Sequence, residues 1–477
     1  MKAPTHMTAL FFSPRRLGAL LLTLGLGLGG APAMAQPAAD AALIQRGQYL
    51  ATAGDCIACH SVGGGKPMAG GLGLSTPLGD IVASNITPSK THGIGNYTLQ
   101  QFSEAVRKGV RADGQYLYPA MPYTAYARVS DGDMAALYAY FMHGVQAVDA
   151  APAKQTDLPF PFNVRLSMAA WNWLFLDKKT FVADPARSPE WNRGAYLATG
   201  LAHCTTCHTP RNALMAEDLS RNLAGGPLGT WYAPNITSDA NSGVGGWSTA
   251  ELAAYLRTGH ALGKAQAAGP MAEAIDHSLA HLTEADLQAI AVYVKSVPAV
   301  HDAADDAPVH ARGQAADGMA YLRGEALPAD PDRMSGPQLF DAHCTTCHQA
   351  KGEGSFDGGL PALFHNTALG RSQGNNLVMV MLDGIQREQH GAEAMETRMP
   401  AFRKVLSDQQ IATLATYLTA TYGNPAVKLA PAQVATLRAG GAGSGLVTLA
   451  RAGMAAGVIA LLLLCFWMAK RRKRRQP

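Results

Sequence analysis

The pattern of apolar and polar positions along the chain predicts a mainly α-helical protein. Helices are indicated over Leu99–Lys108 and Asp131–Met142, over Thr283–Ser296, and over Asp408–Leu418. Stretches rich in glycine and proline separate them and predict loops. The last three helices each close a segment of chain that opens with a shorter helical stretch, such as Arg46–Ala51 in the first segment.

An apolar stretch near the beginning of the chain is typical of a secretory signal. Arg15 and Arg16 precede the apolar residues Leu17–Leu28, and Ala33-Met34-Ala35 fits a small-x-small cleavage site. The alternative is an uncleaved membrane anchor, but the apolar run is short. We therefore expect residues 1–35 to be a signal peptide and the mature protein to be exported.

A second apolar stretch lies near the end of the chain and is long enough to cross a bilayer. Leu446–Ala469 is interrupted only by Arg451, which can reach the membrane surface. A basic tail, 470–477, follows at once, and positive residues stay on the cytoplasmic side. The sequence predicts a single transmembrane helix over 446–469 in the inner membrane, with the preceding domains in the periplasm.

Composition narrows the function further. The chain has 477 residues, enough for about three domains. Its net charge of +4 is concentrated in the basic tail, and only 16% of its residues are charged. This distribution indicates membrane topology and gives no reason to expect nucleic-acid binding.

Six of the seven cysteines fall in three copies of the pentapeptide C-x-x-C-H. This motif is the attachment signature of c-type haem, because two thiols on one helical turn can form thioethers to one porphyrin and the histidine can bind its iron. Zinc binding or a dithiol redox pair would be the alternatives. No second C-x-x-C lies near any copy, and a redox pair needs no following histidine. Three haem c groups are predicted, attached at Cys56 and Cys59, Cys204 and Cys207, and Cys344 and Cys347, with His60, His208 and His348 as the proximal iron ligands.

Other short sequences recur in the same order around the motifs. Arg46-Gly47 and Arg193-Gly194 precede the first two copies, and Asn-Ile-Thr follows each of them. Shared order of this kind argues for duplication of one domain. We expect domains over 41–150, 189–298 and 335–424, joined by an aromatic, proline-rich linker (151–188) and a second linker (299–334). The first linker is expected to pack on the domains or on a partner, and the second to be plain surface chain.

Each segment resembles a class I cytochrome c domain in its order of helix, C-x-x-C-H, loops, methionine and closing helix. That family takes its sixth iron ligand from a methionine in a proline-bounded loop. The resemblance implies Met121, Met271 and Met399 in this role, with Met142 and Met395 as competitors. His203 and His343 directly precede a motif and are expected at the surface or in hydrogen bonds. Methionine–histidine ligation saturates iron and favours electron transfer.

The whole chain resembles the trihaem cytochrome c subunits of bacterial membrane-bound dehydrogenases. The Tyr-Pro-Ala-Met-Pro-Tyr sequence (118–123) and the Leu-Pro-Phe-Pro-Phe-Asn linker (158–163) carry this likeness together with the anchor. The resemblance implies a separate catalytic dehydrogenase subunit and allows for a small third subunit. The anchor favours a flavoprotein (FAD) partner of the gluconate type over one that uses pyrroloquinoline quinone (PQQ). Electrons would pass through the haems to ubiquinone.

Two other functions remain open at this point. One is a membrane-anchored respiratory cytochrome that feeds a terminal oxidase. The other is a haem enzyme with one unusually ligated iron. No further cofactor motif is present, so the chain is not expected to oxidise a substrate by itself.

Overall fold

The computed structural model of the protein describes residues 38–356, 359–387, 397–443 and 445–473. The predicted signal peptide, Met395 and the last residues of the basic tail (474–477) lie outside the described residues. The described part is mostly helical, with short two-stranded hairpins.

The first segment consists of five α-helices and one hairpin. A capping box between Thr98 and Gln101 begins the third of these helices, and it ends at Gly109, whose φ is 62°. The predicted helix Leu99–Lys108 is therefore confirmed. The bounds are Ala38–Ala53, Cys56–His60, Leu99–Lys108, Tyr123–Tyr126 and Asp131–Ala139 for the helices, with Gly73–Thr76 pairing antiparallel with Gly79–Val82.

The predicted helix Asp131–Met142 differs in its last turns. The α-helix stops at Ala139 and continues as a π-helix over Tyr140–Gly144. A π turn inserts one residue into the helical repeat, so the apolar pattern extends past the point where the α-helical hydrogen bonds end.

The second segment repeats the arrangement with small changes. A π-helix, Leu197–Leu201, extends its first helix, and Thr283 caps the predicted helix at its N-terminus. Its α-helices are Pro189–Tyr196, Cys204–His208, Thr249–Thr258, Gly269–His277 and Glu284–Ser296, with 3-10 turns Leu219–Arg221 and Leu279–His281. Its hairpins pair Gly226–Leu228 with Trp231–Ala233 and His260–Ala261 with Ala265–Gln266.

The third segment has a longer closing helix than predicted, which runs to Tyr422 and not to Leu418. Its α-helices are Gly336–His343, Thr345–His348, Thr367–Gly370, Asn375–Asp383, Asp408–Tyr422 and Pro431–Arg438, preceded by 3-10 turns Ala320–Leu322 and Pro331–Arg333. Ile385–Arg387 pairs with Thr397–Met399. Two further helices lie outside the segments, Ser167–Phe175 in the first linker and Leu446–Lys473 at the C-terminus.

A close helix crossing recurs in all three segments. We call the helix before each motif the leading helix (Ala38–Ala53, Pro189–Tyr196, Gly336–His343) and the helix that packs across it the closing helix (Asp131–Ala139, Glu284–Ser296, Asp408–Tyr422). A methyl group on Gly47 would lie 1.9 Å from the Ala136 carbonyl oxygen, and one on Gly194 would lie 1.8 Å from that of Ala289. At Gly336 the clash would be with Tyr417 Cβ at 2.3 Å. Only glycine permits this approach.

The first two segments share one hydrophobic core, whereas the third has its own. Leu50, Val129, Leu197 and Leu287 all belong to the shared core. Phe340, Leu414 and Tyr422 belong to the core of the third segment. The chain before the C-terminal helix is thus built as a fused pair of segments with a third segment beside it.

The two linkers both pack against the segments. Two residues of the first linker accept hydrogen bonds from tyrosines of the first segment. The Tyr118 hydroxyl donates to the Phe162 carbonyl at 2.8 Å, and the Tyr123 hydroxyl donates to Asn172 Oδ1 at 2.8 Å. This confirms packing on the first segment. The second linker is not plain surface chain as expected: Val309 is buried and donates its N–H to the Asn241 carbonyl, and Asp305 is 3% exposed.

The C-terminal helix Leu446–Lys473 is long and apolar enough to cross a membrane, and within the described residues it is the one helix with this character. Its side chains are exposed from Arg451 to Arg471. The predicted span 446–469 therefore lies inside a single continuous helix.

Replacing Gly47 by alanine is expected to lower the free energy of unfolding by about 1–3 kcal/mol, because the added methyl group overlaps the Ala136 carbonyl. The matched control is Gly132→Ala. Gly132 lies in the closing helix of the same segment with open space around its Cβ position. Chemical denaturation of the purified haem-loaded protein measures both. Equal stability of the two variants would contradict the close crossing.

Candidate haem sites

The first two C-x-x-C-H sequences each form a single helical turn directly after a sharp change of direction. Asp55 and His203, which precede the first and second motifs, adopt left-handed backbone conformations with φ of 51° and 35°. In the third motif the helical turn begins one residue later, at Thr345, and the first cysteine, Cys344, precedes it with φ −125°. A one-turn helix places the two cysteines of a motif three residues apart on neighbouring positions of one face, as attachment to a single porphyrin requires.

The three motif histidines are oriented in the same way. Nδ1 of His60 lies 2.6 Å from the Ser84 carbonyl oxygen, and Nδ1 of His208 lies 2.6 Å from that of Pro234. The third, His348, lies 3.3 Å from the Pro361 carbonyl oxygen. A ring that donates from Nδ1 presents Nε2 as a lone-pair ligand for iron.

The protonation of these histidines agrees with a ligand role. Burial lowers the pKa of His60, His208 and His348, and in each case the carbonyl partner opposes the shift. A lowered pKa keeps imidazole neutral at physiological pH, which is the form that binds a metal.

The structure gives no support to a zinc site. Burial raises the pKa of Cys56, Cys204 and Cys344 to about 12, and zinc needs thiolates. Across the described ranges, no group of three or more His, Cys, Asp or Glu side chains is arranged to hold a metal ion. Buried thiols next to an apolar core fit neutral thioether links to a porphyrin.

The three candidate methionines occupy different local structures. Met121 lies in the bend before helix Tyr123–Tyr126, as the proline-bounded loop predicts. Met271 lies in the first turn of helix Gly269–His277 and not in a loop. Met399 ends a strand. All three are partly buried, with Met121 and Met271 against the shared core that Cys56 and Cys204 also border, and Met399 against the core that Cys344 borders.

A reciprocal pair of contacts joins the first two segments. The Tyr49 hydroxyl donates to Asp286 Oδ2 at 2.5 Å, and the Tyr196 hydroxyl donates to Asp133 Oδ2 at 2.6 Å. Each carboxylate also pairs with an arginine of its own segment: Arg193 binds Asp286 through two bonds of 2.7 Å, and Arg46 Nε binds Asp133 Oδ1 at 2.9 Å. Each tyrosine oxygen further accepts from the backbone N–H at the N-cap of the opposite closing helix, Ser130 or Thr283.

This arrangement is that of a pseudo-twofold axis. Arg46 and Tyr49 correspond to Arg193 and Tyr196 in the repeat, so each segment uses the same surface to contact the other. Sequence reasoning missed these residues as contacts. The sequence does show an arginine and a tyrosine three positions apart in both segments. It does not show that Tyr49 contacts an aspartate about 240 residues away or that Tyr196 contacts one about 60 residues away.

The same interface brings the first two motifs together. Burial raises the pKa of Cys59 to about 11, with Asp55 and Cys207 adding to the shift, so the second motif lies within electrostatic reach of the first. The rings of Tyr126 and His203 meet edge to face, with centroids 5.7 Å apart. His203 is therefore an interface residue between the segments, and burial lowers its pKa to about 4. His343 contacts Phe402 in the third segment.

Comparison with known proteins shows the family to which the chain belongs. The sequence profile of the cytochrome c family matches residues 44–144 and 334–421. The fructose dehydrogenase cytochrome subunit of Gluconobacter japonicus is 43% identical over 97% of this chain and 99% of its own length. The gluconate 2-dehydrogenase cytochrome c subunit of Pantoea cypripedii is 41% identical over 88% and 94%. The cytochrome c subunit of the alcohol dehydrogenase (quinone) of Komagataeibacter europaeus is 37% identical over 84% of each.

The fold, the motifs and the profile define a cytochrome c, a protein with covalently bound haem that transfers electrons. Because the similarity extends over most of the length of these relatives, the family of the chain can be stated more specifically. The chain belongs to the family of cytochrome c subunits of dehydrogenases.

Tyr196→Phe is expected to lower the free energy of unfolding by about 1–3 kcal/mol, since the buried Asp133 loses a hydrogen-bond donor and the Ser130 N–H loses an acceptor. Thermal unfolding of the haem-loaded protein measures the loss. Tyr321→Phe serves as the control, because Tyr321 is exposed. A loss no greater than in the control would mean that the reciprocal contact does not hold the segments together.

Proposed function

We propose that the chain carries three haem c groups in three tandem cytochrome c domains (41–150, 189–298 and 335–424) and conducts electrons from a periplasmic dehydrogenase subunit to ubiquinone in the inner membrane. The observation that carries this proposal is the threefold recurrence of one site. Each C-x-x-C-H turn follows a leading helix, and each motif histidine has its Nδ1 against a backbone carbonyl.

The residues of each site would have different roles in binding one haem. The six motif cysteines would form the thioethers, the three motif histidines would bind iron through Nε2, and Met121, Met271 and Met399 would supply the sixth ligand. When bound, haem contributes a one-electron couple at iron, and methionine ligation raises its potential. The apolar cores around the sites exclude water, which favours electron transfer over reaction with small molecules.

The arrangement of the segments suits transfer between neighbouring centres. The shared core and the two tyrosine–aspartate bonds fix the first motif beside the second. The third segment is joined to the second by Arg387, which binds Asp276 and the Thr258 carbonyl at 2.8 Å. Fixed spacing matters because electron tunnelling falls steeply with distance.

A flavoprotein partner of the sugar or sugar-acid type is favoured. Identity is higher to the subunits of fructose and gluconate dehydrogenases, at 43% and 41%, than to that of the alcohol dehydrogenase (quinone), at 37%. The C-terminal helix supports the same choice, since the anchor is the feature that separates the two groups in the resemblance. A PQQ-containing partner is the alternative, and the proposal includes a small third subunit in either case.

The membrane position follows from the C-terminal helix and the first linker. Arg451 Nε donates to the Phe160 carbonyl at 3.0 Å, so the linker lies at the outer end of the helix. From there to Lys470 the helix rises about 28 Å, close to the thickness of the hydrocarbon core. Trp173 and Leu166 of the linker are 83% and 72% exposed, and we place this apolar face on the bilayer surface.

Met121→Ala is expected to lower the mid-point potential of one haem, because methionine ligation stabilises the reduced iron. Absorption spectra and a redox titration of the purified protein measure the change. Met142→Ala is the matched control, since Met142 is also partly buried and close in sequence. An unchanged spectrum in Met121→Ala together with a changed one in Met142→Ala would reverse the assignment.

Purification from the native membrane tests the function as a whole. We expect a catalytic subunit with bound flavin to co-purify with the detergent-extracted protein, and fructose, gluconate or a related substrate to reduce all three haems. Reoxidation by a soluble ubiquinone analogue completes the test. A protein that purifies alone, or with oxidase subunits, and whose haems no such substrate reduces would contradict the proposal.

A further inference from the structure

One arginine of the third segment is buried inside the second. Arg371 follows helix Thr367–Gly370 and is 7% exposed. Its Nη1 lies 3.4 Å from the Ser242 carbonyl oxygen, a long contact, and its buried Nε has no hydrogen-bond partner. Arg387 makes an instructive comparison, because it is equally buried between the same two segments but is fully paired with Asp276 and the Thr258 carbonyl.

No ion pair holds Arg371 within the described residues. Asp302 and Asp305 line the same cleft and attract its charge, but neither carboxylate lies within ion-pair distance of the guanidinium. The buried Oδ1 of Asp305 has no hydrogen-bond partner either. A buried guanidinium without a direct anionic partner costs free energy, so we expect an anionic group that the polypeptide does not contain to reach this place.

The neighbours of Arg371 belong to the second haem site. Arg371 lines a narrow cleft of the second segment together with Tyr232, Asn235 and Ser242. The carboxylates of Asp302 and Asp305 and a second arginine, Arg221, line the same cleft. Asn235 directly follows Pro234, whose carbonyl oxygen lies 2.6 Å from Nδ1 of His208.

We propose that the Arg371 guanidinium binds a propionate carboxylate of the haem attached at Cys204 and Cys207. Haem brings two carboxylates into its site, and a planar guanidinium with free N–H groups is the side chain best suited to bind one. The inference rests on the proposed attachment of haem at this motif. It adds a residue from the third segment to the site of the second.

This contact gives Arg371 two roles. It ties the third segment to the second haem itself, beyond the protein–protein contacts at Arg387. It also holds a positive charge near the iron, and such a charge favours the reduced over the oxidised state.

The test is a redox titration of the full-length, haem-loaded protein in detergent. Arg371→Gln is expected to shift the reduction equilibrium of one haem roughly tenfold toward the oxidised form, about 59 mV for a one-electron couple. Arg371→Lys keeps the charge and is expected to restore part of the shift. Arg323→Gln, the same change at an exposed position of the second linker, is expected to shift none.

The affected haem is identified with Met271→His, which replaces the sixth ligand of the second site and lowers the potential of that haem alone. In the double variant, the lower potential caused by Met271→His and the shift caused by Arg371→Gln must be found on the same haem. A shift on a different haem, or potentials equal to those of Arg323→Gln, would overturn the inference.

Two measurements on the unmodified protein keep the inference falsifiable should the variants fail to fold. Mass spectrometry of tryptic peptides shows whether haem is attached at Cys204 and Cys207. Its absence there would refute the proposed function itself. A cryo-EM structure of the haem-loaded protein then gives the distance from guanidinium to propionate. A separation within about 3.5 Å supports the contact, whereas propionates that point away from Arg371 refute the inference alone.

Discussion

The close crossing of the leading and closing helices is the constraint on which each segment depends. At Gly47 and Gly194 a glycine lies directly against a carbonyl of the closing helix, so that even a methyl group would overlap the backbone. This crossing fixes the end of the leading helix, and the motif follows within a few residues. The direction in which the cysteines and the histidine project thus depends on the crossing of the leading and closing helices, which lies before the motif in the chain. Because haem takes the place of much of the core, few other contacts are available to set it.

The segments are joined by two different kinds of interface. The first two, which are similar in sequence, present the same surface to each other, so the tyrosine–aspartate contact occurs twice. Tyr49 and Tyr196 each satisfy a carboxylate that already binds an arginine, and apolar residues of both segments merge behind them. The third segment has diverged and cannot reproduce this surface. It uses polar contacts instead, such as Asn376, which exchanges two hydrogen bonds with the backbone of Tyr232.

The sequence predicted local features well and contacts between segments poorly. The three motifs, the helix Leu99–Lys108 and the C-terminal helix follow from composition and short-range patterns, and the structure agrees. The π turn after Ala139 and the helical position of Met271 were not predicted, because both depend on how neighbouring elements pack. Arg371 was not singled out at all. Its burial results from an interface between residues about 130 positions apart, which no periodicity records.

These interfaces bear on electron transfer in a way that the haem ligands do not. Ligands set the potential of each centre, whereas the contacts between segments set the distances between centres. Nearly all buried charges at the interfaces are paired within the polypeptide: Asp133 with Arg46, Asp286 with Arg193, and Arg387 with Asp276. Such pairs hold the segments in one register without adding net charge near a site. Arg371 departs from this pattern, since its charge is left for a group that the polypeptide does not contain. Arg371 would therefore affect both the distance between centres and the potential of one centre, because it holds the third segment against the second and places a positive charge near the second haem.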